Sequence, residues 1–242
     1  MKLSKATYSG PDSDGDLNFD IEAQIENSTE SVVELVKTSL ILVNSEGVSV
    51  AGSNDDEEEV FIDSNETASV DIRTPWGAKA SSFSGGLDGM KAIVDVQLYR
   101  REFHNLGEFD LPKDHKSATY VKKGIDIAGL VKIIGATCIR EKADDDGDIR
   151  ISMNIGIRNI SDIYFERVTA KFAIFDQEGA EVDRSEEYHS LAPHSGHSLE
   201  PQMYSIKAGR LKNCTGKLTI HVYQPVGFHS ETVVVTKEDD DD

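Results

Sequence analysis

Cysteine is nearly absent from this chain of 242 residues, which contains only Cys138 and Cys214. Two cysteines cannot build the disulfide framework that stabilises small domains with little core. We therefore expect two free, partly buried thiols. The fold must then depend on apolar cores, for which a hydrophobic fraction of 38% is sufficient.

Long apolar runs are also absent. No stretch reaches the ~18 apolar residues that a membrane helix needs. Residues 1–16 contain no apolar segment of the kind found in a secretion signal. These absences predict a chain located in the cytoplasm or in an assembled particle, with no membrane insertion.

Sequence motifs of catalysis are missing as well. There is no glycine-rich phosphate loop, no G-x-S-x-G, no H-E-x-x-H and no Cys–His nucleophile pattern. No pair of carboxylates lies in an apolar setting that would tune its pKa values. We expect a protein that is not an enzyme and that has no cofactor, with calcium as an open alternative.

Positive charge is scarce, because 25 Lys and Arg residues face 44 Asp and Glu residues and leave a net charge of −19. Such a charge repels nucleic-acid backbones and anionic lipid. It predicts a protein partner with a basic surface, while self-association stays open. The acidic runs at 55–59 and 238–242 also permit mimicry of nucleic acid, and residues 237–242 are expected to form a disordered tail.

The most informative feature is an internal repeat. Residues 12–47 align without gaps on 144–179, with ten identities in 36 positions. The match continues with small shifts, since KAIVDVQ (91–97) aligns with LTIHVYQ (218–224). Identical spacing over several segments indicates duplication of a whole domain.

Apolar residues alternate along the repeated segments. One face of 17–25 and one face of 149–157 are apolar at every second residue, which predicts half-buried strands. Turns that end in Gly47 and Gly179 follow the next strands. The pattern predicts an all-β chain of two tandem immunoglobulin-like antiparallel β-sandwiches, at 1–112 and 131–236. Residues 113–130 are expected to be a linker, with a short helix around 124–132.

The second half resembles a family of small prokaryotic immunoglobulin-like domains named after a Phe-x-Leu-Tyr-Asp motif. The resemblance rests on Asn159, on residues 172–176 (Phe-Ala-Ile-Phe-Asp), on Gly179 and on residues 191–193 (Leu-Ala-Pro). Desiccation-related immunoglobulin-like domains share a similar pattern. The first half keeps Asn27 and Gly47. The resemblance implies a sandwich fold, frequent occurrence on exported proteins and no catalytic residues.

A D-x-D-G-D motif occurs in both halves. Its carboxylates are Asp12, Asp14 and Asp16 in the first half, and Asp144, Asp146 and Asp148 in the second. Three carboxylates on a tight loop are able to bind Ca²⁺, although the spacing differs from that of an EF-hand. Asp-Gly also favours a hairpin turn, and we consider the turn the stronger interpretation.

Three histidines of the second half, His189, His194 and His197, lie close in sequence. They are candidate zinc ligands, but their spacing does not place them on one helix, there is no H-E-x-x-H, and the first half has no equivalent. A polar loop is the simpler interpretation.

These features together predict a non-catalytic protein-interaction or structural module, of the kind that assembles on surfaces or decorates virions. Two alternatives remain open. One is an acidic nucleic-acid mimic that inhibits a nucleic-acid-binding protein, and the other is a calcium- or zinc-dependent binding protein.

Overall fold

The computed structural model describes residues 1–75, 77–83, 86–113, 116–121 and 124–238, with the side chains of 54 and 55 left out. The chain is all-β, and the only helical segments in this described part are two 3-10 turns, Ala80–Ser82 and Ala208–Leu211. None of the described helical segments is long and apolar enough to cross a membrane.

Two compact units divide the chain. Unit 1 consists of residues 1–100 and 225–242, and unit 2 consists of residues 101–224. Two strands of 20 residues each, Lys91–Asp110 and Thr215–Val234, begin in one unit and end in the other. The strands in chain order are β1 (Lys2–Ser9), β2 (Asp16–Glu26), β3 (Val33–Val43), β4 (Ser49–Ile62), β5 (Thr67–Asp71), β6 (Ala78–Lys79), β7 (Lys91–Asp110), β8 (Ser117–Val121), β9 (Ile125–Ile127), β10 (Val131–Arg140), β11 (Asp148–Asn159), β12 (Phe165–Phe175), β13 (Glu181–Leu191), β14 (Gly196–Leu199), β15 (Gln202–Lys207), β16 (Thr215–Val234) and β17 (Thr236–Lys237).

Unit 1 has two sheets. One has the strand order β17-β1-β2-β5, with β6 also paired to β2. The other contains β4, β3 and the first half of β7, followed by the second half of β16. Their apolar faces enclose one core, to which Ile21 of β2, Leu40 of β3 and Val94 of β7 contribute.

Unit 2 also has two sheets. One sheet has the order β14-β11-β10-β8, with β15 paired to β11 and β9 paired to β10. The other contains β13, β12, the first half of β16 and the second half of β7. The core between them includes Met153, Phe165 and Phe172, none of which is exposed. Both units are therefore sandwich-like.

The strands predicted at 17–25 and 149–157 are confirmed as β2 and β11. Along β2 the burial alternates from Leu17 to Ile25, as the period of two requires. The corresponding positions of β11, from Ile149 to Ile157, are all buried. One face of each strand thus belongs to a core.

The division of the chain differs from the predicted domains at 1–112 and 131–236. Residues 225–236 belong to unit 1, and residues 101–130 belong to unit 2. The predicted linker at 113–130 contains β8 and β9, which both pair with β10. Unit 2 therefore begins at residue 101, before the predicted linker.

The helix predicted around 124–132 is wrong. Ile125 and Ile127 lie in β9, which forms a hairpin with β10. Ala128 and Gly129 adopt φ values of 52° and 71°, which form the hairpin turn and are incompatible with a right-handed helix.

Candidate functional site

The D-x-D-G-D loop of unit 1 is a tight turn between β1 and β2. Asp12 Oδ1 accepts hydrogen bonds of 2.9 Å from the backbone amides of both Asp14 and Asp16. The amide of Gly15 donates to the carbonyl of Asp12, and Gly15 has a φ of 83° that favours glycine. The amides of Asp16 and Asp14 hold the pKa of the Asp12 carboxyl below its ordinary value.

A lysine completes the loop of unit 1. Lys79 Nζ lies 2.7 Å from Asp16 Oδ1 and donates to the carbonyl of Asp14 at 3.0 Å. The ammonium group thus occupies the side of the loop on which Asp16 presents its carboxylate.

Unit 2 has the same arrangement. Asp144 Oδ1 accepts the amides of Asp146 at 3.0 Å and Asp148 at 2.8 Å. Lys207 Nζ lies 2.7 Å from Asp148 Oδ1 and donates to the carbonyl of Asp146. Because backbone amides and a lysine engage these carboxylates, the geometry favours the turn over the calcium site.

The three histidines do not converge. The rings of His189 and His197 are stacked, with centroids 3.5 Å apart and an angle of 9° between planes. The lone pairs of parallel imidazoles lie in parallel planes and do not point at one ion. His194 has a φ of 57° and its Nε2 lies 2.9 Å from Asp162 Oδ1. The described residues hold no group of three His, Cys, Asp or Glu side chains placed for a metal.

Two asparagines with fully buried side chains organise the loops that follow β2 and β11. Asn27 Nδ2 donates to the carbonyls of Ser31 and Ile62, each at 2.8 Å, and its Oδ1 accepts the amide of Thr29. In the sequence both Asn27 and Asn159 stand in N-x-[ST] triplets, but burial leaves neither amide accessible for glycosylation in the folded chain.

Asn159 makes the equivalent network in unit 2. Its Nδ2 donates to the carbonyls of Ile163 (2.7 Å), Leu191 (3.2 Å) and Ala192 (3.1 Å), and its Oδ1 accepts the amide of Ser161. From the sequence, Asn27 and Asn159 were identified only as residues of the family resemblance, and their burial was not evident from the pattern.

Both cysteines are free and buried, as predicted. Cys138 points into the core of unit 2, and burial raises the pKa of its thiol to about 12. Burial also raises the pKa of Cys214, whose thiol donates to the carbonyl of Arg210. Neither thiol has the lowered pKa that a nucleophile needs.

The acidic run predicted at 55–59 lies on β4, which is an edge strand of its sheet. Glu57, Glu58 and Glu59 are exposed, while the side chain of Asp55 is outside the described residues. The pairing with β3 places Glu59 opposite Leu35 and Glu58 opposite Val36, so successive carboxylates point to opposite faces. Nearby Phe61 is 75% exposed. The disordered tail predicted at 237–242 is corrected in its first two residues, since Lys237 lies in β17 and the amide of Glu238 donates to the carbonyl of Tyr8. Residues 239–242 lie outside the described residues.

Unit 2 contains an aromatic cluster that was not predicted from the sequence. The Arg167 guanidinium lies 5.1 Å from the ring of Tyr188 and 5.3 Å from that of Tyr223. The ring of His221 meets Phe103 and Tyr223 nearly edge-on. The available signal was the alternation of His221 and Tyr223 within residues 218–224, a segment that served only to align the two halves.

No family model matches the chain, and no curated protein matches it. Among solved structures, a red sea bream transglutaminase aligns with 98% of this chain and 32% of its own, at 8% identity and a TM-score of 0.24. An exo-chitosanase from Amycolatopsis orientalis aligns with 95% of this chain and 26% of its own, at 13% identity and a TM-score of 0.26. The chain thus spans about a third or less of either protein, and such TM-scores carry no argument about its function.

Proposed function

We propose that this chain is a non-catalytic interaction module built from two copies of one immunoglobulin-like sandwich domain, and that it binds a basic protein partner through β4. The duplication is supported by the repeated polar networks. Asp12 and Asp144 organise the same turn, and Lys79 and Lys207 bind the same carboxylate and carbonyl positions. Such bonds depend on atomic geometry, so their recurrence with the sequence repeat favours common descent.

The observation that carries the interaction role is the acidic edge of β4. An edge strand offers its outward N–H and C=O groups to a strand from another chain. On β4 those groups lie beside the exposed carboxylates of Glu57, Glu58 and Glu59. A partner strand with lysine or arginine side chains would gain backbone hydrogen bonds and charge complementarity together.

The side chain of Phe61 adds an apolar contact to this edge. It is 75% exposed near one end of the carboxylate run. A large exposed aromatic residue at a polar edge favours a binding surface, because aromatic residues, Phe included, are enriched in protein interfaces. The expected partner is therefore an extended basic segment with at least one apolar side chain.

A defined probe tests this proposal. Short peptides of alternating lysine and valine, or of alternating glutamate and valine, are titrated into the full chain while backbone amide signals are followed by NMR. We expect the lysine peptide to shift the signals of β4 and the glutamate peptide to leave them in place. The affinity for the lysine peptide should fall with added salt.

Two variants that each remove three negative charges test the role of the β4 carboxylates, one on β4 and one as a matched control. The triple variant E57Q/E58Q/E59Q should weaken binding about tenfold, since three exposed charge contacts of roughly 0.5 kcal/mol each amount to about 1.5 kcal/mol, close to the ~1.4 kcal/mol of a tenfold change. The variant E30Q/E46Q/E66Q removes the same charge from exposed loop positions of unit 1 and should bind almost normally. Equal weakening by both variants would leave only a general effect of net charge and would refute the role proposed for β4.

A further inference from the structure

A cavity of about 270 Å³ opens into the core of unit 2. Its floor consists of Ala136, Met153 and Leu218, which are each at most 1% exposed. The rings of Phe109 and Tyr120 form one wall. The cavity therefore connects the surface to apolar core residues, and its volume accommodates a single ring with a short chain.

The aromatic wall is fixed by its neighbours. The ring of Phe109 lies between Tyr120, at 4.0 Å between centroids, and Phe172, at 6.1 Å. A Cβ atom at Gly216 would lie 2.5 Å from the Phe109 ring, so only glycine at this position leaves room for it. The Tyr120 hydroxyl donates to the carbonyl of Asp110, and burial raises the pKa of Tyr120 to about 12, so the hydroxyl stays protonated. A preformed cavity costs a ligand little ordering.

The chemistry of the rim selects the charge of the ligand. Glu108 is the single charged side chain among the described residues that line the cavity, and it is exposed. No ion pair of Glu108 is present in the described part of the chain. A ligand with an apolar ring and a positively charged group would place the ring on the floor and the charge beside this carboxylate.

We propose that this cavity is a binding site for a small hydrophobic amine. The site lies in unit 2, and it is independent of the acidic edge strand of unit 1. The ring contacts Met153 and the aromatic wall, and the ammonium group pairs with Glu108. Because the ion pair is partly hydrated, an amine should bind only about threefold to fivefold more tightly than a neutral ligand of the same shape.

Methyl NMR on the full chain tests this site. The methionine methyl groups are labelled with ¹³C, and the protein is titrated separately with 2-phenylethylamine, 2-phenylethanol and phenylacetate. The amine should cause a saturable shift of the Met153 methyl signal, while Met90 in the core of unit 1 should not respond. The alcohol should bind about threefold to fivefold more weakly, and phenylacetate most weakly.

Two variants distinguish the effect of the Glu108 carboxylate on ligand binding from the effect of the net charge of the protein. Glu108→Gln should give the amine and the alcohol equal affinity, whereas Asp145→Asn, an exposed change of equal charge in unit 2, should keep the preference. Absence of a saturable Met153 shift would overturn the proposal. So would equal binding of the amine and the alcohol to the unmodified chain, or a preference that survives in Glu108→Gln.

Discussion

The buried amide of Asn159 makes a direct prediction about stability. In Asn159→Ala, the carbonyls of Ile163, Leu191 and Ala192 lose their donor, and the amide of Ser161 loses its acceptor. A buried polar group without a partner costs about 1–3 kcal/mol. Since the loop can rehydrate part of this set, the variant should lose about 3 kcal/mol of the free energy of unfolding.

Urea unfolding measures this loss, and the matched control lies on the same strand. Asn154 is exposed on β11, so Asn154→Ala should change the free energy of unfolding by no more than about 0.5 kcal/mol. With a slope of about 2 kcal/mol per molar urea, Asn159→Ala should lower the midpoint by about 1.5 M. Because the chain has two units, the Met153 and Met90 methyl signals should be followed separately as reporters of unit 2 and unit 1.

The role of the donor is tested by Asn159→Asp. A carboxylate keeps the acceptor for Ser161 but offers no N–H to the three carbonyls, so it should destabilise unit 2 at least as much as alanine does. The reasoning would be refuted if the midpoint of Asn159→Ala matched that of Asn154→Ala, or if aspartate were tolerated at pH 7.

Three further predictions concern polar and ionisable groups. Because burial raises the pKa of Cys138 from 9.0 to about 12 and unfolding restores the ordinary value, the free energy of unfolding should fall as pH rises from about 9 towards 12; urea titrations of Cys138→Val should show a smaller fall. Asp144→Ala removes an acceptor for two backbone amides and should cost about 1 kcal/mol in urea unfolding, whereas Asp145→Ala should be nearly neutral. Millimolar calcium should leave the thermal midpoint unchanged, since Lys207 already pairs with Asp148; a rise in the midpoint, or calcium found in the purified protein by elemental analysis, would restore the calcium hypothesis.

The alternating strands were the part of the fold that the sequence could predict. A half-buried strand has an apolar side chain at every second residue, so β2 and β11 are evident from this alternation alone. The turns at Gly15 and Gly147 were equally evident, because Asp-Gly and positive φ are local properties. Both features depend on short stretches of chain.

The extents of the two compact units depend on pairing between distant residues, which no short stretch of sequence encodes. Residues 100–105 (Arg-Arg-Glu-Phe-His-Asn) have no apolar alternation, yet they continue β7 for its full length. Strand β9 has three residues, too few for a period of two to be recognised, and only its pairing with β10 identifies it. The candidate sites show the same limit, since the cavity beside Met153 is assembled from residues up to 112 positions apart, from Leu106 to Leu218.

The pattern of identities in the repeat follows from the same physics. On the proposed duplication, positions such as Leu17 and Ile149 exchanged one apolar residue for another, because a core tolerates swaps of similar volume at a cost of less than about 1.5 kcal/mol. Asn27 and Asn159 stayed identical because no other side chain presents an amide donor and a carbonyl acceptor to the same backbone groups. Thr29 and Ser161 differ, but each supplies a hydroxyl to the asparagine oxygen. Identity at Asn27 and Asn159 therefore reflects the hydrogen bonds that the asparagine side chain makes, and it gives no indication of a shared ligand site.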